Sequence, residues 1–176
     1  MKKGYFLSVI CAFLATLGCN AQPRHINRTT VPSLDIKRYM GHWYEIARFD
    51  HSFERHLERC EAMYVMLPDG RISVTNTGVS QRTGKRKTAL GRAKLGKEPG
   101  QLRVSFFWIF YSDYNILALG DNYEWVLVGS RSPKYLWILA RTPHLSRVTT
   151  EHILSIARSR GYDTDELIWV RQRGKE

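Results

Sequence analysis

The chain has 176 residues, with 27 Lys and Arg against 16 Asp and Glu, for a formal net charge of +11. That length fits one domain with a core of its own, and the charge points to an anionic partner: nucleic acid, a membrane surface or an anionic ligand. Six histidines are scattered without metal-ligand spacing, so neither a metal nor another cofactor is expected.

Met1-Lys2-Lys3 is a short basic start, and Tyr5 to Leu17 is an apolar run too short to span a bilayer comfortably as a helix. Together they read as a bacterial signal peptide over residues 1–18. The run ends in Thr16-Leu17-Gly18-Cys19, which resembles the lipobox of bacterial lipoproteins. That resemblance implies cleavage before Cys19 and lipid on its thiol and on the new α-amino group. Asn20 stands where an Asp would resemble an inner-membrane retention signal, so the expected address is the outer membrane, facing the periplasm. Cys11 leaves with the signal and Cys19 carries lipid, so Cys60 is the one thiol left and no intramolecular disulfide is expected. An exported chain rarely meets nucleic acid, and the basic residues are dispersed, which excludes nucleic acid as a partner.

Residues 19–34 are polar, carry two prolines and lack periodicity, as a tether does. Asp35 to Met40 fits one helical turn, capped by Ser33 or Asp35. Trp43–Phe49 is the first strand, followed by a charged loop over Asp50–Arg59. Cys60–Leu67 is the second, and Pro68-Asp69-Gly70 turns the chain into Arg71–Ser80. Further strands are Lys87–Leu95, Leu102–Trp108, Tyr114–Leu119, Tyr123–Gly129 and Lys134–Arg141. Eight strands in succession with short turns predict an all-β, antiparallel, up-and-down barrel over residues 35–172, closed because closure removes exposed edges. After Pro143 the apolar period becomes helical: Val148, Ile153, Leu154, Ile156 and Ala157 predict one C-terminal α-helix outside the barrel, stopped by Gly161. Leu167–Val170 is a short final strand.

Gly41-His42-Trp43-Tyr44-Glu45-Ile46-Ala47-Arg48 resembles the first signature of the lipocalins, and Tyr135 to Pro143, with Arg141, resembles the third. The likeness runs from Asp35 to Val170 and is strongest to the bacterial, apolipoprotein D-like outer-membrane members. It implies a cup that binds, stores or carries fatty acids, lysophospholipids or similar amphiphiles without catalysis, and it suggests a homodimer. Independently, Trp43 and Arg141 suit a cation–π plug that closes one end of a barrel.

Strand residues alternate sides. With Arg141 inward at the closed end, Leu139, Trp137 and Tyr135 also face inward. The same logic places Val74 and Asn76, Val104 and Phe106, and Val126 and Val128 inside. Ala62 and Tyr64 are chosen for strand two and Asn115 for strand six. Of these, Ala62, Tyr64, Val74, Asn76, Val104, Phe106, Asn115, Val126, Val128 and Trp137 are the ten expected ligand contacts; they make an apolar, aromatic cavity, with Tyr64, Asn76 and Asn115 as polar sites for a carboxylate or headgroup. Inward aromatics also suit plain core filling. Two alternatives stay open. One is a lipocalin-type enzyme with Cys60 as nucleophile beside His51 or His56. The other is an interaction module that uses Phe107-Trp108-Ile109-Phe110-Tyr111, a run that fits either a mouth loop or a dimer surface.

Overall fold

The computed structural model describes residues 25–107 and 109–172. The expected signal peptide, lipidation at Cys19 and Trp108 lie outside the described residues.

A short helix α1 (Ile36–Tyr39) precedes β1 (Gly41–Arg48), β2 (Leu57–Met66), β3 (Ile72–Ser80), β4 (Arg86–Leu95), β5 (Gln101–Phe107), β6 (Phe110–Leu119), β7 (Trp125–Gly129) and β8 (Leu136–Ala140). Helix α2 (Arg147–Ser159) and a short β9 (Ile168–Trp169) complete the chain. Each strand pairs antiparallel with the next, and β1 pairs with both β8 and β2, so the sheet closes on itself as predicted. Pairing β1 with β8 removes the two free edges that an open meander of these strands would have. The largest shift from expectation is β6. It begins at Phe110 rather than Tyr114, and Phe110 pairs with Phe107 of β5.

With β8 on one edge, strand β1 serves two partners on the other. Its first half, Gly41–Tyr44, pairs with Tyr64–Glu61 of β2. Its second half turns to β9, with Ala47 opposite Trp169 and Arg48 opposite Ile168. The C-terminal segment therefore fills the place where β1 and β2 part. Arg59 N donates to Arg171 O at 2.8 Å, and Gln172 Nε2 donates to Glu45 O at 2.7 Å and Cys60 O at 3.0 Å. Buried backbone acceptors that a regular ladder would satisfy are thus met by a side chain.

Two apolar clusters lie on the two faces of the sheet. The outer one packs Ile153, Leu154 and Ala157 of α2 against Trp125, Leu127, Leu136 and Ile138. The helix starts at Ser146, whose hydroxyl accepts from Thr149 N at 3.1 Å, and ends before Gly161, whose φ of +93° suits a residue without Cβ. The inner cluster contains Trp43, Ala62, Val74, Val126, Val128 and Leu139.

Residues 25–34 are not the free tether that their composition predicts. Ile26 is only 7% exposed and belongs to the outer cluster. Asn27 N donates to Arg160 O, and Val31 N to Ile116 O, both at 2.9 Å. One buried isoleucine and a few backbone bonds hold a stretch whose polar residues carry no periodic signal.

Candidate functional site

The floor of the barrel is built on Trp43 and Arg141. The guanidinium carbon of Arg141 lies 3.7 Å from the Trp43 ring centroid. The same guanidinium donates to His42 O at 2.7 Å, Arg38 O at 2.8 Å, Met40 O at 2.9 Å and Tyr39 O at 3.1 Å. Helix α1, capped by the Asp35 carboxylate, presents the Arg38, Tyr39 and Met40 carbonyls to it, and β1 presents that of His42. Trp43 Nε1 donates to Tyr39 O at 2.9 Å. Above the plug a chain of phenols crosses the interior: Tyr39 and Tyr114 hydroxyls stand 2.6 Å apart, and Tyr64 donates to Tyr114 at 3.1 Å. Burial raises all three phenols well above their ordinary values, so they remain neutral donors.

Eight of the ten expected contacts share the inner face. Ala62, Tyr64, Val74, Val126 and Val128 are buried in the inner cluster, with Val104 and Trp137 packed against it. Asn76 pairs with Ala62 across β2 and β3 and so shares its face, and its buried Oδ1 has no hydrogen-bond partner. The Tyr64 hydroxyl is engaged in the phenol chain, so it serves the floor rather than the expected headgroup contact.

Two placements differ from expectation. Asn115 stands between Tyr114 and Ile116, both on the inner side, and pairs with Gly129 rather than with an inward residue. It therefore faces outward. Phe106 continues the inward parity of Leu102 and Val104, but a bulge after Val104 carries it to the mouth, where it is 37% exposed. There its ring takes the space that a side chain at residue 91 would fill; a Cβ on Gly91 would lie 2.7 Å from it.

A feature absent from the sequence reading lies above the apolar wall. Glu45 pairs with Leu139 and Arg48 with Trp137, and both partners belong to the interior. Arg48 is 2% exposed. Its Nη1 donates to Glu45 Oε1 at 2.6 Å, and its Nη2 donates to Glu54 O at 2.7 Å and Leu57 O at 3.2 Å. Trp137 Nε1 donates to Glu54 Oε2 at 3.2 Å, and His51 Nε2 lies 3.1 Å from the same oxygen. Arg48 thus ties the β1–β2 loop down over the interior. Burial and the nearby Glu54 push the Glu45 carboxyl up to about 8. Burial also raises Glu54, against the Trp137 donor and Arg48. Two carboxyls facing one guanidinium keep a proton that an exposed pair would lose. His51 is pushed down to about 4, chiefly by burial and then by Arg48. The buried Nε of Arg48 has no hydrogen-bond partner.

Cys60 is also buried here, with its Sγ 3.8 Å from Arg48 Nη1. Burial first, then Glu45, pushes its thiol far above the usual range. An activated thiolate needs the opposite shift. Outside the barrel, an open groove of about 490 Å³ runs past Pro32, Trp125, His152 and Arg160 and has no part in this interior.

A closed eight-stranded meander with a sealed floor, an apolar wall and a flanking helix defines a cup-shaped barrel of the ligand-binding kind. The lipocalin-like domain family matches residues 34–172. The outer membrane lipoprotein Blc of Escherichia coli (strain K12) is 41% identical over 165 residues, covering 93% of this chain and 93% of that protein. Apolipoprotein D of Mus musculus is 31% identical, covering 91% of this chain and 93% of its own. Insecticyanin from the tobacco hornworm Manduca sexta has the same fold, with a TM-score of 0.69 at 19% identity over 84% of this chain and 85% of its own. The chain belongs to the lipocalin family, and its bacterial relatives are outer membrane lipoproteins.

Proposed function

We propose that the barrel interior binds one amphiphilic lipid, a fatty acid or a lysophospholipid, for storage or carriage at the outer membrane. The observation that supports this most directly is the order of the inner face. Apolar residues Val74, Val104, Val126 and Val128 line the wall, while Glu45 and Arg48 enter the same interior from β1, toward the β1–β2 loop that carries His51 and Glu54. An acyl chain gains about 0.8 kcal/mol for each methylene removed from water. Arg48, with one unpartnered nitrogen, and Asn76, with an unpartnered amide oxygen, offer polar sites to a headgroup. Because Tyr39, Trp43, Tyr64 and Tyr114 occupy the floor, the chain of a bound lipid sits above them and not at the bottom of the cup.

The address is the outer membrane, as for the bacterial relatives named above. We place the anchor on Cys19. Labelling cells with a radioactive fatty acid tests the anchor: the native chain takes up label and Cys19→Ala does not.

The binding itself is tested by displacement of a fluorescent fatty acid from the purified protein. Saturable competition by oleate or by a lysophospholipid is the expected result. Failure of both to compete would remove the carrier function. Mass spectrometry of lipid extracted from the purified protein then identifies the native ligand.

A further inference from the structure

We infer that the open mouth of the barrel docks on an anionic lipid surface, with the β5–β6 hairpin tip entering its interface. This rests on the anchor at Cys19 given above. Three independent features converge on it.

The first is the tip. Phe107 is 79% exposed, Ile109 75% and Phe110 76%. Phe107 of β5 pairs with Phe110 of β6, which holds these two residues side by side at the end of the hairpin. Phe106, packed over Gly91, fixes it beside upper β4. In a meander, alternate turns lie at opposite ends. The β5–β6 tip therefore shares the mouth with the β1–β2 loop, where Phe53 is 61% exposed. Large apolar side chains grouped this way mark an interaction surface.

The second is charge. The β3–β4 turn is at the same end, and there Arg82, Lys85, Arg86 and Lys87 are all exposed. Cations beside exposed aromatics suit the negative surface of a bilayer, where each basic residue adds about a fivefold gain in affinity. A second copy of this chain would bring the same cations against one another.

The third is the direction of the N-terminal segment. Thr30 lies beside Pro99 of the β4–β5 turn, at the closed end. Five residues earlier, His25 O lies against Gly161. The next residue, Tyr162, puts its hydroxyl against Gly129, the last residue of β7, and its ring centroid 6.1 Å from that of Phe49, just beyond β1. Both are open-end termini. The segment thus runs along the barrel wall, and its upstream end emerges on the mouth side. Cys19 is six residues before His25, a reach of about 20 Å at full extension. A lipid on Cys19 therefore holds the mouth, and not the floor, toward the bilayer. A ligand then passes between membrane and cup without crossing water.

The test uses the lipidated full chain reconstituted into vesicles of phosphatidylethanolamine and phosphatidylglycerol. A fluorophore is placed at Phe110→Cys or, as control, at Asp69→Cys in the closed-end β2–β3 turn. Buried Cys60 stays unlabelled. At residue 110 the emission shifts to the blue and is quenched by lipids carrying a nitroxide near the headgroup. At residue 69 neither occurs. Adding Arg86→Glu and Lys87→Glu weakens the quenching at 110, as does 1 M salt. Unquenched, unshifted emission at 110 would overturn the inference, as would quenching at 69 equal to that at 110. A blue shift at 110 without lipid quenching, accompanied by cross-links between copies, would give the tip to a second copy and overturn it too. Oleate binding by the same labelled proteins is measured separately. Its loss would remove the carrier function while leaving the orientation result as it stands.

Discussion

Arg141 holds the face of Trp43 at 3.7 Å while donating to backbone carbonyls of His42, Arg38, Met40 and Tyr39. One guanidinium thereby joins β8 to α1 and the start of β1. Lysine carries the same charge, but as a point with three donors and no plane to stack. Arg141→Lys loses the stack and leaves several of those carbonyls without a donor. The expected cost is about 2 kcal/mol or more, read as a lower urea midpoint with an unchanged slope. A variant as stable as the parent would show that the plug is decorative.

Cys60 gives a second, cheaper test. Its thiol is buried, and its ionisation is opposed first by that burial and then by Glu45. In the folded protein it resists alkylation at neutral pH over hours, and in denaturant it reacts at the rate of a free thiol. Residue-resolved mass spectrometry after iodoacetamide makes the measurement. Fast labelling in the native state would reopen the enzymatic alternative, because it would require a thiolate that this environment does not supply.

Gly91 is a third point of leverage. A Cβ there would sit 2.7 Å from the Phe106 ring and 2.8 Å from the Ser105 carbonyl oxygen. The ring can swing toward solvent, but the carbonyl belongs to the neighbouring strand and cannot. Gly91→Ala is expected to cost about 1–3 kcal/mol by overpacking. Phe106→Ala made in the same background relieves only part of this, because the backbone contact stays. Full relief would assign the whole cost to the ring.

These positions show how far the sequence could be read. Alternation placed Val74, Val104, Val126 and Val128 correctly, because each sits in a stretch of strand with regular pairing. The pairing of Trp43 with Arg141 was legible from residue type and chain position. Asn115 was misplaced because β6 is buried on both faces: Ile116 lies in the inner cluster and Leu117 under α2, so hydrophobicity does not mark a side. The Glu45–Arg48 pair was illegible for a different reason. Three residues apart in a regular strand, they would face opposite ways. A bulge between Glu45 and Ala47 turns both inward, and bulges leave little trace in a single sequence. Half of the signal was available all the same, since strict alternation from an inward Trp43 already carries Glu45 inside.

That pair predicts how stability varies with pH. Glu45 is raised to about 8 in the folded protein, far above a carboxyl in an unfolded chain, near 4.3. The folded state therefore binds the extra proton. Its stabilising contribution is complete below the unfolded value and is lost as pH rises through the folded one. Glu54, also raised, acts in the same sense. His51 acts in the opposite sense. Lowered to about 4, it contributes stability above its unfolded value near 6.5, and that stability is lost as pH falls. The carboxyls and the histidine offset one another between about pH 4.5 and 6.5. Between pH 6.5 and 8 the change at Glu45 continues without the offset from His51, so stability falls as pH rises. One proton released across that span is worth up to about 2 kcal/mol. Urea unfolding at pH 6.5 and at 8.5 measures it, with the lower midpoint expected at 8.5. Glu45→Gln removes the charge that must be desolvated and leaves an amide oxygen for Arg48 Nη1, so the fall flattens. If Glu45→Gln keeps the full fall and Glu54→Gln abolishes it, the proton belongs to Glu54, and Arg48 is paired in charge with Glu45 throughout.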